Sequence, residues 1–122
     1  VTHHELDRGT RVSESNRIRE RVLAARAIQK NRYEHCANTY TNAQISNKEL
    51  AVFCPLGPNS KAILAAAMEK LNLSARAYHQ IIKVSRTIAD LAAAPHILPE
   101  HIAEAVQYRT LDRANWSAGG GG

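Results

Sequence analysis

The sequence predicts an all-α domain, a small bundle of about four to five helices with flexible ends. Three observations carry that expectation. The chain is 44% hydrophobic but only 5% aromatic, and its apolar content comes chiefly from Ala, Leu, Ile and Val, a mix suited to helices packed through aliphatic side chains. Apolar residues recur at three- and four-residue spacing in several segments, and no useful length of chain alternates at the period of a strand. Capping residues and prolines punctuate those segments. With 122 residues the chain can form one compact domain with a modest core.

Residues 1–12 lack periodicity and read as a flexible lead-in. The first helix is expected from about Glu14 to Tyr33. Ile18, Val22, Ala25 and Ile28 form its apolar stripe, while Arg17, Arg19, Arg21, Arg26, Lys30 and Arg32 occupy the other faces and read as solvated. Residues 34–44 are polar and loop-like, with Asn42 to Gln44 positioning the second helix. Ser46 and Glu49 have the spacing of a capping box, and Ile45 and Leu50 that of a hydrophobic staple. The short second helix therefore starts there, turns Leu50 and Phe53 inward, and stops at Pro55 and Gly57-Pro58. Asn59 or Ser60 is expected to cap a third helix ending at Leu71, its core stripe formed by Leu64, Met68 and Leu71 with Ile63 and Ala67 beside it.

Asn72-Leu73 is a very short link into the fourth helix. Ser74 reads as its N-cap, with Leu73 and Tyr78 as a staple. Tyr78, Ile81, Ile82, Ser85, Ile88, Ala89 and Ala92 mark its buried face. Arg86 and Asp90 form an i,i+4 structural pair worth a few tenths of a kcal/mol. Pro95 ends this segment. Pro99 opens a fifth helix to about Arg109, with Ile102, Ala105 and Val106 inward. The folded domain is expected over residues 13–113, and residues 114–122, ending in glycines, read as a disordered tail.

A net charge of +5 and a pI near 9.6 permit contact with nucleic acid or nucleotide without demonstrating it. No apolar run is long enough to span a membrane, and no secretory leader pattern is present. The first residue, Val1, suggests a fragment. Cys36 and Cys54 have no metal-site or CxxC spacing and read as free thiols in a reducing cytoplasm. His35 beside Cys36 has no further support as a site, and no metal centre is expected. The chain lacks a GxxxxGK[ST] phosphate loop, a paired-acid Mg²⁺ motif, a GxSxG elbow and an HExxH pair. Asp7, Asp90 and Asp112 stand isolated. The chain is therefore not expected to be an enzyme by itself.

One residue stands out within this ordinary composition. Arg76 falls at the second residue of the fourth helix, where the dipole is positive and backbone N–H groups lack partners. A cation there mildly disfavours the helix. The same position suits a phosphate, which could accept from both the guanidinium and the helix terminus.

The run Leu73-Ser74-Ala75-Arg76-Ala77-Tyr78, followed by Ile82-Lys83-Val84-Ser85-Arg86-Thr87-Ile88-Ala89-Asp90-Leu91, resembles the C-terminal domain of Mg-chelatase-like AAA+ ATPases. More narrowly it is similar to the bacterial competence protein ComM family. Further pieces occur in family order: Ile18 to Val22 with Ala25-Arg26 and Gln29; Asn42 to Ser46; and His101 to Ala105 running into Gln107-Tyr108-Arg109 and Leu111-Asp112-Arg113. The match spans about residues 13–113. Ser85 and Gln80 depart from the alanine and arginine common in the family.

The resemblance implies an AAA+ lid fold, a helical domain that sits on an ATP-binding core supplied by the rest of the parent protein. It implies that Arg76, with Ser74 in the same motif, is the nucleotide-sensing sensor-2 element, reaching the γ-phosphate of ATP. ATP and Mg²⁺ would be held by the parent's core and not by the lid alone. Arg26, Gln29 and Lys83 become candidates for contact with the core or with neighbouring subunits of a hexameric ring. Relatives act on DNA in natural transformation and branch migration, so DNA is a further partner the resemblance implies. Two other classes fit the residues alone. The third and fourth helices read as a helix-turn-helix, with Ser74, Arg76 and His79 facing DNA. A plain protein-interaction module is the other.

Overall fold

The computed structural model describes the backbone of residues 3–119 and the side chains of residues 11–109. Among these residues there are α1 (His3–Arg32), α2 (Asn47–Phe53), α3 (Pro58–Leu71), α4 (Ala75–Leu91) and α5 (Pro99–Gly119), with a 3₁₀ turn at Asn42–Gln44. The all-α expectation holds. No strand occurs among the described residues, only an isolated bridge between Leu56 and Ile97 that joins two loops.

The helix starts follow local chemistry. Ser46 caps α2: the Glu49 N–H donates to its Oγ at 3.3 Å, and the Glu49 carboxylate accepts from the Ser46 N–H at 3.2 Å, a reciprocal box. Ser74 caps α4 by accepting from the Ala77 N–H at 3.2 Å. For α3 the expected caps are wrong. Gly57 is the N-cap and Pro58 the first helical residue, because proline has no N–H to orphan and its fixed φ suits the first turn. Ser60 instead lies buried inside that helix, its hydroxyl directed to the Ile97 carbonyl at 3.4 Å.

The helix ends use left-handed residues. Asn72 (φ 51°) turns the chain from α3 toward α4. After α4, Ala93 (φ 55°) takes this role: its N–H bonds to Asp90 O at 3.0 Å, and the Ala94 N–H to Ala89 O at 2.8 Å. This is a Schellman closure built on alanine where glycine is usual.

Helix α4 is the hub. It packs on α5, α1, α2 and the 3₁₀ turn, and α5 packs in turn on α3. Ile45, Leu64, Ile81, Ala89 and Ile102 form the centre of the core. The staple pair Ile45 and Leu50 is buried as expected, and Phe53 meets the Tyr33 ring edge-on at 5.0 Å. Helix α1 begins at His3 instead of near Glu14, and α5 continues past Arg109. Among the described side chains of α1 the last part enters the bundle: Ala25 is buried, Val22 and Ile28 are half-buried, and Ile18 is exposed.

The buried face of α4 is rotated from the expected one. Ala77 replaces Tyr78, and Arg86 and Asp90 are buried at its far end, where Ala92 is exposed. A flexible lead-in over 1–12 and a disordered tail over 114–122 fall mostly on residues whose side chains lie outside the described set. Both remain expectations.

Candidate functional site

Helix α4 carries two arginine sites of opposite character. At its N-terminal end the Ser74 hydroxyl satisfies the Ala77 N–H, and Ser74 O takes the Tyr78 N–H at 3.0 Å. The N–H groups of Ala75 and Arg76 come before the first intrahelical acceptor and stay available. Arg76 is exposed, and among the described residues its guanidinium has no hydrogen-bond or ion-pair partner. A cation, two backbone donors and the positive dipole end thus share one corner. A small pocket between α2, α3 and α4 is lined in part by Lys61, Tyr78, His79 and Ile82, and not by Arg76. Tyr78, expected in the core, is half-exposed there, its ring 5.6 Å from that of His79.

The C-terminal half of α4 ends in a closed ionic joint. The Asp90 carboxylate is completely shielded. Arg32 on α1 donates to it twice, at 2.6 and 2.8 Å, and Asn42 donates Nδ2–H at 2.9 Å. Arg86 adds Nε–H at 3.2 Å, and its Nη2 and Nη1 donate to the carbonyls of Ala94 at 2.8 Å and Pro95 at 3.2 Å. Asn42 is 1% exposed. Its Oδ1 accepts from Arg32 and from the Tyr33 hydroxyl, and its backbone N–H donates to Gln29 Oε1 at 3.0 Å. One joint therefore ties α1, the 3₁₀ turn, α4 and the loop before α5.

Titration reflects that geometry. Burial pushes the Asp90 carboxyl up, but hydrogen bonds from Arg32 and Asn42 and the charges of Arg32 and Arg86 outweigh it, leaving the net shift below the usual carboxylate value. The Asp90 hydrogen bond raises Arg32 despite its partial burial. Burial raises the Tyr33 phenol to about 12. Burial also pushes the Cys54 thiol up, and both Cys36 and Cys54 are unpaired.

The other residues singled out from the sequence are dispersed. Arg26 is exposed on α1. Gln29 is 8% exposed and turned inward onto Asn42. Lys83 is half-buried, its ammonium 3.5 Å from the Ala43 carbonyl. The structure brings none of the three to Arg76. Sequence reasoning found one contact of the joint, the Arg86–Asp90 pair, which the structure contains, and missed the rest: Asn42 looks like a loop residue and Arg32 looks solvated. A second signal in the sequence is the Thr41-x-x-Gln44 spacing, which marks a helical start. Gln44 Oε1 does accept the Thr41 and Tyr40 N–H groups, at 3.1 and 2.7 Å. Among the described residues no group of His, Cys, Asp or Glu could hold a metal ion, and no helix is long and apolar enough to cross a membrane.

The described residues thus form a helical bundle with an exposed cation at one helix start. The chain belongs to the family described as magnesium chelatase, subunit ChlI C-terminal, whose model matches residues 12–109. It is 43% identical over 105 residues to competence protein ComM of Haemophilus influenzae, covering 86% of this chain and 20% of that protein. It is also 35% identical over 96 residues to uncharacterized protein YifB of Salmonella typhimurium, covering 79% and 18%. The matching protein YifB of Escherichia coli is 36% identical over 96 residues, with the same coverage. The chain therefore spans about a fifth of the length of these relatives. No solved structure matches it.

Proposed function

We propose that this chain is the C-terminal helical lid of an AAA+ ATPase and that Arg76 is its sensor-2 residue. The observation that carries the reading is the Arg76 corner: an exposed guanidinium, unpartnered among the described residues, at the second residue of a well-capped helix. Membership of the magnesium chelatase C-terminal family supports it. ATP and Mg²⁺ would bind on a core supplied by the parent protein, since this chain has no phosphate cradle. Arg76 would add charge stabilisation at the γ-phosphate as phosphoryl transfer proceeds. The ionic joint would keep α1 and α4 rigid relative to each other, so that movement at Arg76 becomes movement of the whole lid. Ser74 fixes the helix start that aims the arginine.

The parent would be cytoplasmic and would assemble as a hexameric ring. The name competence protein ComM supports a role on DNA in transformation. A helix-turn-helix reading needs a freely presented recognition helix, whereas α4 is packed by α1, α2, α5 and the 3₁₀ turn. That packing favours the lid.

Arg76→Ala in the parent protein tests the reading. ATP turnover should fall by about a hundredfold, the scale of losing one transition-state donor, with the ring still assembled. Unchanged turnover in an assembled ring would rule out the sensor role. The isolated chain should show little nucleotide binding in a calorimetric titration.

A further inference from the structure

A groove runs between the 3₁₀ turn, α4 and α5, lined by residues distinct from both the Arg76 corner and the ionic joint. It encloses about 640 Å³. Ile81 and Ala105, both buried, form its floor, while Val84 and Tyr108 are 41% and 54% exposed at its sides. Among the described residues its charged lining consists of Lys83 and Arg109, with no carboxylate. Glu104, one turn before Tyr108, is exposed and takes the Tyr108 hydroxyl at 3.1 Å.

The donors of this groove are incompletely used. Arg109 gives one N–H to Gln80 Oε1 at 2.9 Å, but its Nε–H is shielded from solvent and has no acceptor among the described residues. Lys83 has only the long 3.5 Å contact to Ala43 O. The two cations thus flank exposed apolar side chains, Val84 and Tyr108, in one groove.

We propose that this groove docks an amphipathic helix of a partner polypeptide bearing an aspartate or glutamate. Its apolar side chains cover Val84 and Tyr108, and its carboxylate accepts from the terminal N–H groups of the Arg109 guanidinium and from Lys83 Nζ. Charge complementarity selects this occupant. A second copy of a chain of net charge +5 brings the wrong sign. A nucleic-acid backbone would answer the two cations but leave the apolar sides uncovered.

The test is selection of a displayed library of random 16-residue peptides on the full 122-residue chain, followed by titration of the enriched peptides. The expected peptides carry an acid three or four residues from Leu, Ile or Phe. Their affinity should fall about tenfold or more with Arg109→Ala, the scale of losing a charge-assisted hydrogen bond, and likewise with Val84→Asp. Circular dichroism confirms folding of each variant, and Lys83→Ala gives an independent reading should either of them unfold. No enrichment, enrichment of acid-free peptides, or binding indifferent to these substitutions would overturn the proposal. Displacement of the peptides by duplex DNA, with the same variants weakening DNA binding, would overturn it in favour of a nucleic-acid site.

Discussion

The two ends of α4 treat arginine in opposite ways. Near Asp90, Arg32 and Arg86 are drawn onto one shielded carboxylate and a set of backbone carbonyls. About 20 Å away along the same helix, at a rise of 1.5 Å per residue, Arg76 stands exposed with no partner among the described residues. The first two charges are satisfied there and the Arg76 charge is not. The contrast separates charge that holds the fold from charge available to something outside it.

The largest expected effect lies at the satisfied end. Asp90→Ala strips the counter-ion from two arginines and should lower the unfolding free energy by about 3–5 kcal/mol, read from urea denaturation. Arg76→Ala should stay within about 0.5 kcal/mol of the parent chain. Comparable losses from both would erase the distinction. Asn42→Ala should cost about 1–3 kcal/mol, because Asn42 links Arg32, Tyr33, Thr87 and Asp90 at once. A loss near zero would place the strength of the joint in the arginines alone.

Acid sharpens the same contrast. The folded Asp90 carboxyl titrates below its ordinary value, so on acidification the unfolded chain takes up a proton first. The Asp90 contribution is fully present above the unfolded value of about 4. It is lost as pH falls through the depressed folded value. Asp90→Asn should therefore flatten the acid limb of a stability-versus-pH curve, whereas Arg76→Ala should leave that limb unchanged. Ala93 offers a smaller test beside the joint. At φ 55° it occupies a region costly for any residue with a Cβ. Ala93→Gly should raise stability by about 0.5–1 kcal/mol, measured as a higher melting temperature.

The sequence reveals these two regions unequally. The Arg76 corner is local: Ser74, its spacing to Ala77 and the position of the arginine all lie within one helical turn. The joint is assembled across the fold, with 48 residues separating Asn42 from Asp90 and 58 separating Arg32 from Asp90. Helical spacing connects Arg86 to Asp90, but no periodicity connects Asp90 to Asn42 or Arg32, and those two read alone as ordinary polar residues. The same cause misplaces the buried face of α4. Hydrophobicity favours Tyr78 over Ala77, yet close packing around the hub helix takes the smaller side chain. Gln29, Asn42, Arg86 and Asp90 also lie in the segments that carry the family resemblance. Part of that resemblance therefore describes how the bundle is held together.

Charge reversal at Arg76 tests the central claim most directly. A glutamate at the start of α4 should stabilise the isolated chain by about 0.3–1 kcal/mol through the helix dipole, confirming an intact fold. ATP turnover by the parent protein carrying Arg76→Glu is then the deciding measurement. A fall of about a hundredfold or more in an assembled, folded protein is the predicted result. Turnover equal to that of the unsubstituted protein would contradict the account.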